Sequence, residues 1–394
     1  MDDRLYMSAD EAAQALGVSV ATVYAYVSRK MLRSHRPQGA RASKYWRADV
    51  ERLRGGAGGG REGDPLVSET QITVITEEGP FYRGQSAITL AQTETAESVA
   101  ALLWDADQSA IFPPEPPRTS EVISAYLPSL AELSPIDKAM AIFPIIEREN
   151  PRAYDLTPAG FARTAGEVMR WFAAIMVGET PSAAPLHEVV TSKANDRKVM
   201  ANIVRRLLVL SADHELDPTT YAVRAVANVG VSPYRLAIAG LITSTGRRLP
   251  YGRIDAVSRL LDEIDTAVDP KGVIVSRLRD GEPLPGFGSR QYAKHDPRAD
   301  TLLDALNTDL SGDPSLTKLN AAIEVVREVT GLEPGFGLVN LFVGRRLGLQ
   351  RQDGVALRLG RMTGWMAHAM EQYHGQEFVR PTAAYVGVLP SKTA

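Results

Sequence analysis

A mainly α-helical protein, with a small N-terminal module and a larger helical body, is the fold class this sequence predicts. Three observations predict it. Beyond residue 66, stretches such as 120–133, 157–177, 196–210 and 253–267 repeat apolar residues at three- and four-residue spacing, the period of one helix face. The 394 residues exceed what one small core needs and allow two or three domains. Charge changes sign along the chain: residues 1–61 hold eleven Lys/Arg against six Asp/Glu, net +5, while the remainder nets −8. At the change stands Gly55-Gly56-Ala57-Gly58-Gly59-Gly60, whose ordering entropy marks it as a flexible tether.

The basic head comes first. Ser8 is placed to cap a helix, with Glu11 as its capping-box partner. Gly17 breaks that helix, and Ser19 caps a second one that runs to about Arg29. Arg33, Arg36, Arg41 and Lys44 then gather around the turn Pro37-Gln38-Gly39, and residues 47–53 close the module as a helix. The ordered run "SADEAAQALGVSVATVYAYVSRKML", a basic wing and "KYWRADVERL", within residues 6–53, resembles the winged helix-turn-helix of MerR/excisionase-type proteins. The resemblance implies DNA binding through residues 1–54. Thr22, Tyr24, Ala25 and Arg29 would face the major groove, and Arg33, Arg36, Arg41 and Lys44 would meet phosphates and set the salt dependence. The plainer alternative is a small helical module that contacts protein or survives as a relic.

Composition narrows the classes. The chain is 44% hydrophobic and 23% charged with net charge −3, ordinary for a globular protein and unlike a general polyanion binder. With no cysteine, a disulfide framework, a thiolate metal site and a cysteine nucleophile are excluded, and no metal is expected. No apolar run reaches the roughly 18 residues of a membrane span, and the acidic start lacks a signal-like core, so a cytoplasmic protein is expected.

In the body, residues 71–76 are β-rich before the turn Glu78-Gly79-Pro80 and suit a hairpin. Long motifs then follow in order: "TEEGPFYRGQSAITLAQTETAESVAALLWD" (76–105), "LSADHELDPTTYAVR" (210–224), "PGFGSRQYAKHDPRAD" (285–300), "GRMTGWMAHAMEQ" (360–372) and "RPTAAYVG" (380–387). Through them the body resembles the citrate synthase family along nearly its full length. The resemblance implies a citrate-synthase-like all-helical body with a large domain (66–253 and 349–394) and a small one (254–348), after a head (1–54) and a linker (55–65). It also implies a homodimer and a cleft for an oxaloacetate- or citrate-like carboxylate and an acyl-CoA, with no other cofactor.

The chemistry of such a cleft can be stated from first principles. Joining a thioester methyl to a ketone needs a carboxylate to remove a C–H proton, a donor for the enol oxygen and a donor for the ketone oxygen. Arginines anchor the dicarboxylate bidentately. The family fills the base role with an aspartate and the donor roles with histidines. Carried over position by position, the resemblance keeps an anion cradle at His214, Arg298 and Arg380, with Asp213 and Glu215 placed to fix the tautomer of His214. The proton-moving positions differ: Tyr251, Ser289 and Gly337 stand where the family has His, His and Asp. Tyrosine titrates near pH 10 and serine far higher, and glycine does no acid–base work. Loss of a general base alone costs on the order of 10²–10⁴ in rate. Glu333, four residues before Gly337, is the one carboxylate near enough to act as a displaced base.

Other residues have bland expectations. His368 and His374 read as structural or surface residues, and His187 and His35 as surface. Trp104, Trp171 and Trp365 read as core. Arg247-Arg248 and Arg345-Arg346 read as solvated faces, the first pair near where acyl-CoA phosphates would approach, and Arg361 as structural or ligand-binding. The expected function is a carboxylate- and acyl-CoA-binding, DNA-binding regulator with degenerate catalytic positions. The alternatives are an active acyltransferase condensing an acyl-CoA with oxaloacetate or another 2-keto acid, and a non-catalytic partner subunit.

Overall fold

The computed structural model describes residues 6–29, 31–36, 42–54, 69–246, 254–289, 291–348, 354–375 and 378–380. The head opens with β1 (Tyr6–Met7), α1 (Ala9–Leu16) and α2 (Val20–Ser28), and continues with β2 (Ser34–His35), β3 (Lys44–Trp46) and α3 (Arg47–Arg54). Local chemistry sets its boundaries. Ser8 and Glu11 form the reciprocal capping box, Gly17 ends α1 at φ 65°, and the Ser19 side chain accepts from Thr22 N. The strands form an antiparallel sheet in the order β1-β3-β2, with Tyr6 opposite Trp46 and Ser34 opposite Tyr45. Met7, Ala12, Ala13, Val23, Leu32, Tyr45 and Val50 fill the head's own core.

A second antiparallel sheet begins the body: β4 (Thr73–Thr76), β5 (Gly79–Tyr82) and β6 (Gln85–Ser86), in that order. Helices follow as α4 (Ala87–Thr93), α5 (Ala96–Trp104), α6 (Gln108–Ile111), α7 (Glu121–Tyr126), α8 (Pro135–Glu149), α9 (Pro158–Val177), α10 (Leu186–Val190) and α11 (Arg197–Leu210). The remainder are α12 (Pro218–Ala227), α13 (Pro233–Ser244), α14 (Ile254–Thr266), α15 (Pro270–Arg279), α16 (Pro297–Asp309), α17 (Pro314–Thr330), α18 (Phe336–Arg346) and α19 (Val355–Gly375). Seven of these helices start on proline, whose fixed φ suits the first helical position and whose missing N–H costs nothing there.

One large core joins most of the body, and Trp104, Trp171 and Trp365 are all buried in it. A smaller cluster of Leu260, Ile264, Ile274, Ala322, Val325 and Val326 holds α14, α15 and α17 together. Helix α19 is the central strut. It packs on α5, α9, α11, α12 and α13. Gly360 and Gly364 let it approach the turn after α11, because a Cβ at either would overlap Ser211 or Asp213. Gly364 N donates to Ala212 O at 2.8 Å across that contact. Among the described residues, no helix is long and apolar enough to cross a membrane.

Candidate functional site

The α11–α12 turn carries Asp213, His214 and Glu215. Glu215 adopts a left-handed conformation at φ 55°, so its side chain leaves the direction a regular turn would give it. The expectation that Asp213 and Glu215 hold the His214 ring is corrected here. Glu215 Oε1 accepts from Ile75 N at 3.1 Å, on β4. Asp213 faces the other way: Oδ1 takes Arg361 Nη1 at 3.2 Å, and Oδ2 takes His368 Nε2 at 3.1 Å and Glu215 N at 3.1 Å. The ring of His214 meets Tyr292 instead, Nε2 to the phenol oxygen at 3.0 Å.

Asp213 organises a buried ionic network. Arg361 also donates to Asp217 Oδ2 and Thr220 Oγ1, each at 2.8 Å, which ties α19 to the first turn of α12. His368 is fully buried, and beyond it Glu371 pairs with Arg224 at 2.6 Å and accepts from Gln71 N at 2.6 Å. Burial works against the Asp213 carboxylate, yet the charges of His368 and Arg361 hold it down to about 2. Burial likewise opposes a charged His368, and Asp213 and Glu371 outweigh it, raising its pKa above the ordinary value. His368 is thus a structural residue, buried and bonded. His214 behaves oppositely: burial, then the charges of Arg298 and Arg361, push its pKa well below the usual range and keep the ring neutral.

Arg298 comes from the start of α16. Its guanidinium takes both oxygens of Asp296, at 3.0 and 2.7 Å, and lies 4.6 Å over the Phe336 ring and 5.8 Å over the Tyr292 ring. Phe336 begins α18, so Arg298 bridges the His214 side of the site to the segment that carries Gly337. The backbone completes that junction. Gly288 N donates to Glu333 O, and Gly335 N to Gly286 O, each at 2.8 Å, which sets the turn before Ser289 against the start of α18.

The structure therefore brings His214, Arg298, Ser289 and Gly337 into one region. Ser289 is exposed, and its Oγ accepts from Gln291 N and Tyr292 N at 3.2 and 3.1 Å, shaping the loop that presents Tyr292. Gly337 is exposed in the first turn of α18, and a Cβ there would touch nothing within 4 Å. Tyr251 and Arg247-Arg248 lie outside the described residues, as does Arg41. Glu333 is not positioned as a free base, because Arg327 takes both its oxygens at 2.7 Å.

Arg380 does not join this group within one chain. Residues 378–380 are exposed and are held through Val379, whose backbone exchanges hydrogen bonds of 2.9 and 2.8 Å with Asn228 just after α12. His214 lies before the opposite end of that helix, whose ten residues span about 15 Å. Arg361 takes a place in the cluster that sequence spacing left open between structure and binding. Its signal was the glycine pair at i, i+4, Gly360 and Gly364, flanking Arg361, which could have marked a close helix approach. Of the remaining histidines, His35 is exposed, His187 is half-buried with its pKa lowered by burial, His295 pairs with Asp300, and His374 Nε2 meets Leu156 O at 2.7 Å. The Arg345-Arg346 pair is engaged more than a solvated face would be, with Asp262 and Asp313 respectively.

In the head, the Thr22 hydroxyl lies 2.9 Å from that of Ser19 at the start of α2. Tyr24 is 55% exposed, its ring 6.5 Å from that of Tyr45. Arg29 and Arg36 are exposed and Lys44 is half-buried. Arg33 bonds the buried Asp49 carboxylate through both its backbone N–H and its guanidinium, at 2.9 to 3.0 Å, and its side chain remains 69% exposed.

A family model described as citrate synthase, C-terminal domain, matches residues 64–382. Citrate synthase 2 of Bacillus subtilis is 28% identical over 318 residues, covering 79% of this chain and 76% of its own. A 2-methylcitrate synthase of Shewanella oneidensis is 28% identical over 190 residues, 47% of this chain and 50% of that one, so the chain spans half the length of that relative. Among solved structures, a citrate synthase from Thermoplasma acidophilum in ternary complex with carboxymethyl coenzyme A and oxaloacetate has a TM-score of 0.68 at 20% identity, covering 84% of this chain and 96% of its own. A citrate synthase from Thermotoga maritima has a TM-score of 0.66 at 19% identity, covering 84% and 97%.

Proposed function

Since the chain belongs to the citrate synthase family, we propose that its body holds an oxaloacetate- or citrate-like dicarboxylate, with an acyl-CoA beside it, without joining the two, and that its head binds DNA. One observation carries this reading: Arg298 stands beside the buried His214, whose pKa is lowered by burial and by the charges of Arg298 and Arg361, while Ser289 and Gly337 put no titratable group beside it. Arg298 and Arg361 are already paired, with Asp296 and with Asp213 and Asp217, so a bound dicarboxylate would have to share or displace the Asp296 pairing of Arg298. An enol-forming step needs a base within hydrogen-bond reach of the carbon acid, and the carboxylate nearest Gly337 in sequence, Glu333, is committed to Arg327. The ligands named for the Thermoplasma acidophilum neighbour support this ligand class.

The head supports a winged helix-turn-helix reading through its helix, glycine turn, helix and three-stranded sheet, with Tyr24, Arg29 and Arg36 outward. The homodimer that the family implies would cover the exposed apolar residues Tyr221, Val229, Tyr373 and Phe378, beside the segment that ends in Arg380. Calorimetric titration of the full chain with citrate and with oxaloacetate tests the ligand reading. Binding is expected, weakened about 10- to 100-fold in Arg298→Lys, which keeps the charge and loses the bidentate fork. Absence of heat and of thermal stabilisation with either ligand would overturn it. An acyltransferase acting on another acyl-CoA would instead release thiol with acetyl-CoA or propionyl-CoA and a 2-keto acid.

A further inference from the structure

Tyr292 lies inside the 285–300 motif with no role assigned to it there, yet among the described residues it is the one side chain that bonds His214. We propose that Tyr292 sets the tautomer of His214, donating its O–H to Nε2 so that the imidazole presents Nδ1–H to a carboxylate or keto oxygen of the bound ligand. The inference rests on the ligand reading above for its consequence, while the tautomer itself is a property of the unliganded protein.

The geometry supports this direction of donation. The two groups are 3.0 Å apart with ring planes at 61°, and both residues are at most 3% exposed. A neutral imidazole has one donor and one acceptor nitrogen, so the partner of Nε2 decides what Nδ1 can do. If Nε2 carried the proton, the phenol O–H would need another acceptor. Among the described residues Tyr292 has no second hydrogen-bond partner for its hydroxyl. The same arrangement would also turn the lone pair of Nδ1 toward an anionic ligand. Burial raises the phenol's pKa above its ordinary value, so Tyr292 remains a donor across the working range. The carboxylates that could otherwise orient the ring are committed elsewhere, Asp213 to Arg361 and His368, and Glu215 to Ile75 N.

Tyr292 is itself held in place. Its N–H donates to Ser289 Oγ at 3.1 Å, the next N–H donates to the Glu77 carboxylate at 3.2 Å, and Arg298 lies over its ring. This gives Ser289 a role where the family has a histidine: it shapes the loop that presents the phenol. Tyr292 is thus a positioning residue acting through His214.

The test is the ¹⁵N spectrum of the histidine side chains in the full-length protein, with His214 assigned by its loss in His214→Gln. Nδ1 is expected to be the protonated nitrogen in the wild type. In Tyr292→Phe the ring is expected to shift toward Nε2–H, and citrate binding to weaken by about tenfold, the worth of one preorganised hydrogen bond. A wild-type His214 protonated at Nε2, or a tautomer unchanged in Tyr292→Phe, would overturn the assignment. Tautomer control by Tyr292 without binding of citrate or oxaloacetate supports the positioning role and overturns the ligand reading.

Discussion

Asp213 and His214 are adjacent and both have lowered pKa values, which keeps the carboxylate charged and the imidazole neutral. The Asp213 carboxylate lies below its ordinary value, so its contribution to stability is present above about pH 4 and is lost as pH falls toward 2. His368 is raised, so its contribution is complete below about pH 6.5 and is lost as pH rises through its folded value. The stability difference between wild type and His368→Gln, measured by urea unfolding, is therefore expected to be largest below pH 6.5 and to shrink with rising pH. A difference that grows with pH would contradict the pairing. Asp213→Asn leaves Arg361 and His368 without their carboxylate and is expected to cost about 3–5 kcal/mol, as removal of one member of a buried pair does. His214 and Arg298 stood out in the sequence as candidates because each lies inside a contiguous motif. The sequence could not orient His214, since the partner that does so is 78 residues away.

Among the elements, the caps were the most legible. Ser8, Glu11, Gly17 and Ser19 act within four residues of themselves, and the structure has each where spacing put it. Helix α19 shows the reverse case. Its apolar period indicated a helix, while its task of carrying Arg361, Gly364 and His368 into the α11–α12 turn depends on contacts across about 150 residues. Gly364→Ala is expected to destabilise the protein by about 1–3 kcal/mol, because the added methyl meets Asp213 and Ala212 in a packed interior. It should also weaken citrate binding by displacing Arg361. Unchanged melting temperature and affinity would refute the close approach. Arg33 makes a parallel point in the head. The resemblance grouped it with the phosphate contacts, and its three bonds to Asp49 also fasten the segment after α2 to α3. Asp49→Ala should therefore unfold the head at lower denaturant than the body.

Taken whole, the chain joins a basic head to an acidic body. Helix α3 comes within 8 Å of β4, Cα to Cα, and β4 bonds Glu215 beside His214. On the proposed reading, these contacts link a ligand at His214 to the head. DNA affinity is expected to fall by roughly 40-fold between 50 and 200 mM salt if three phosphates are neutralised. Arg29→Glu and Arg36→Glu should abolish it while leaving citrate affinity intact, as read by fluorescence anisotropy and calorimetry. DNA affinity independent of salt, or retained in both variants, would remove the head from the account.

The central claim is a cleft that binds without condensing, and thiol release tests it most directly. The full chain is incubated at high concentration with saturating acetyl-CoA or propionyl-CoA and oxaloacetate, and free thiol is followed over time. No release above the enzyme-free background is expected, because no side chain at Ser289 or Gly337 can move the proton. Sustained release that depends on both substrates, and is abolished in His214→Gln, would contradict the claim.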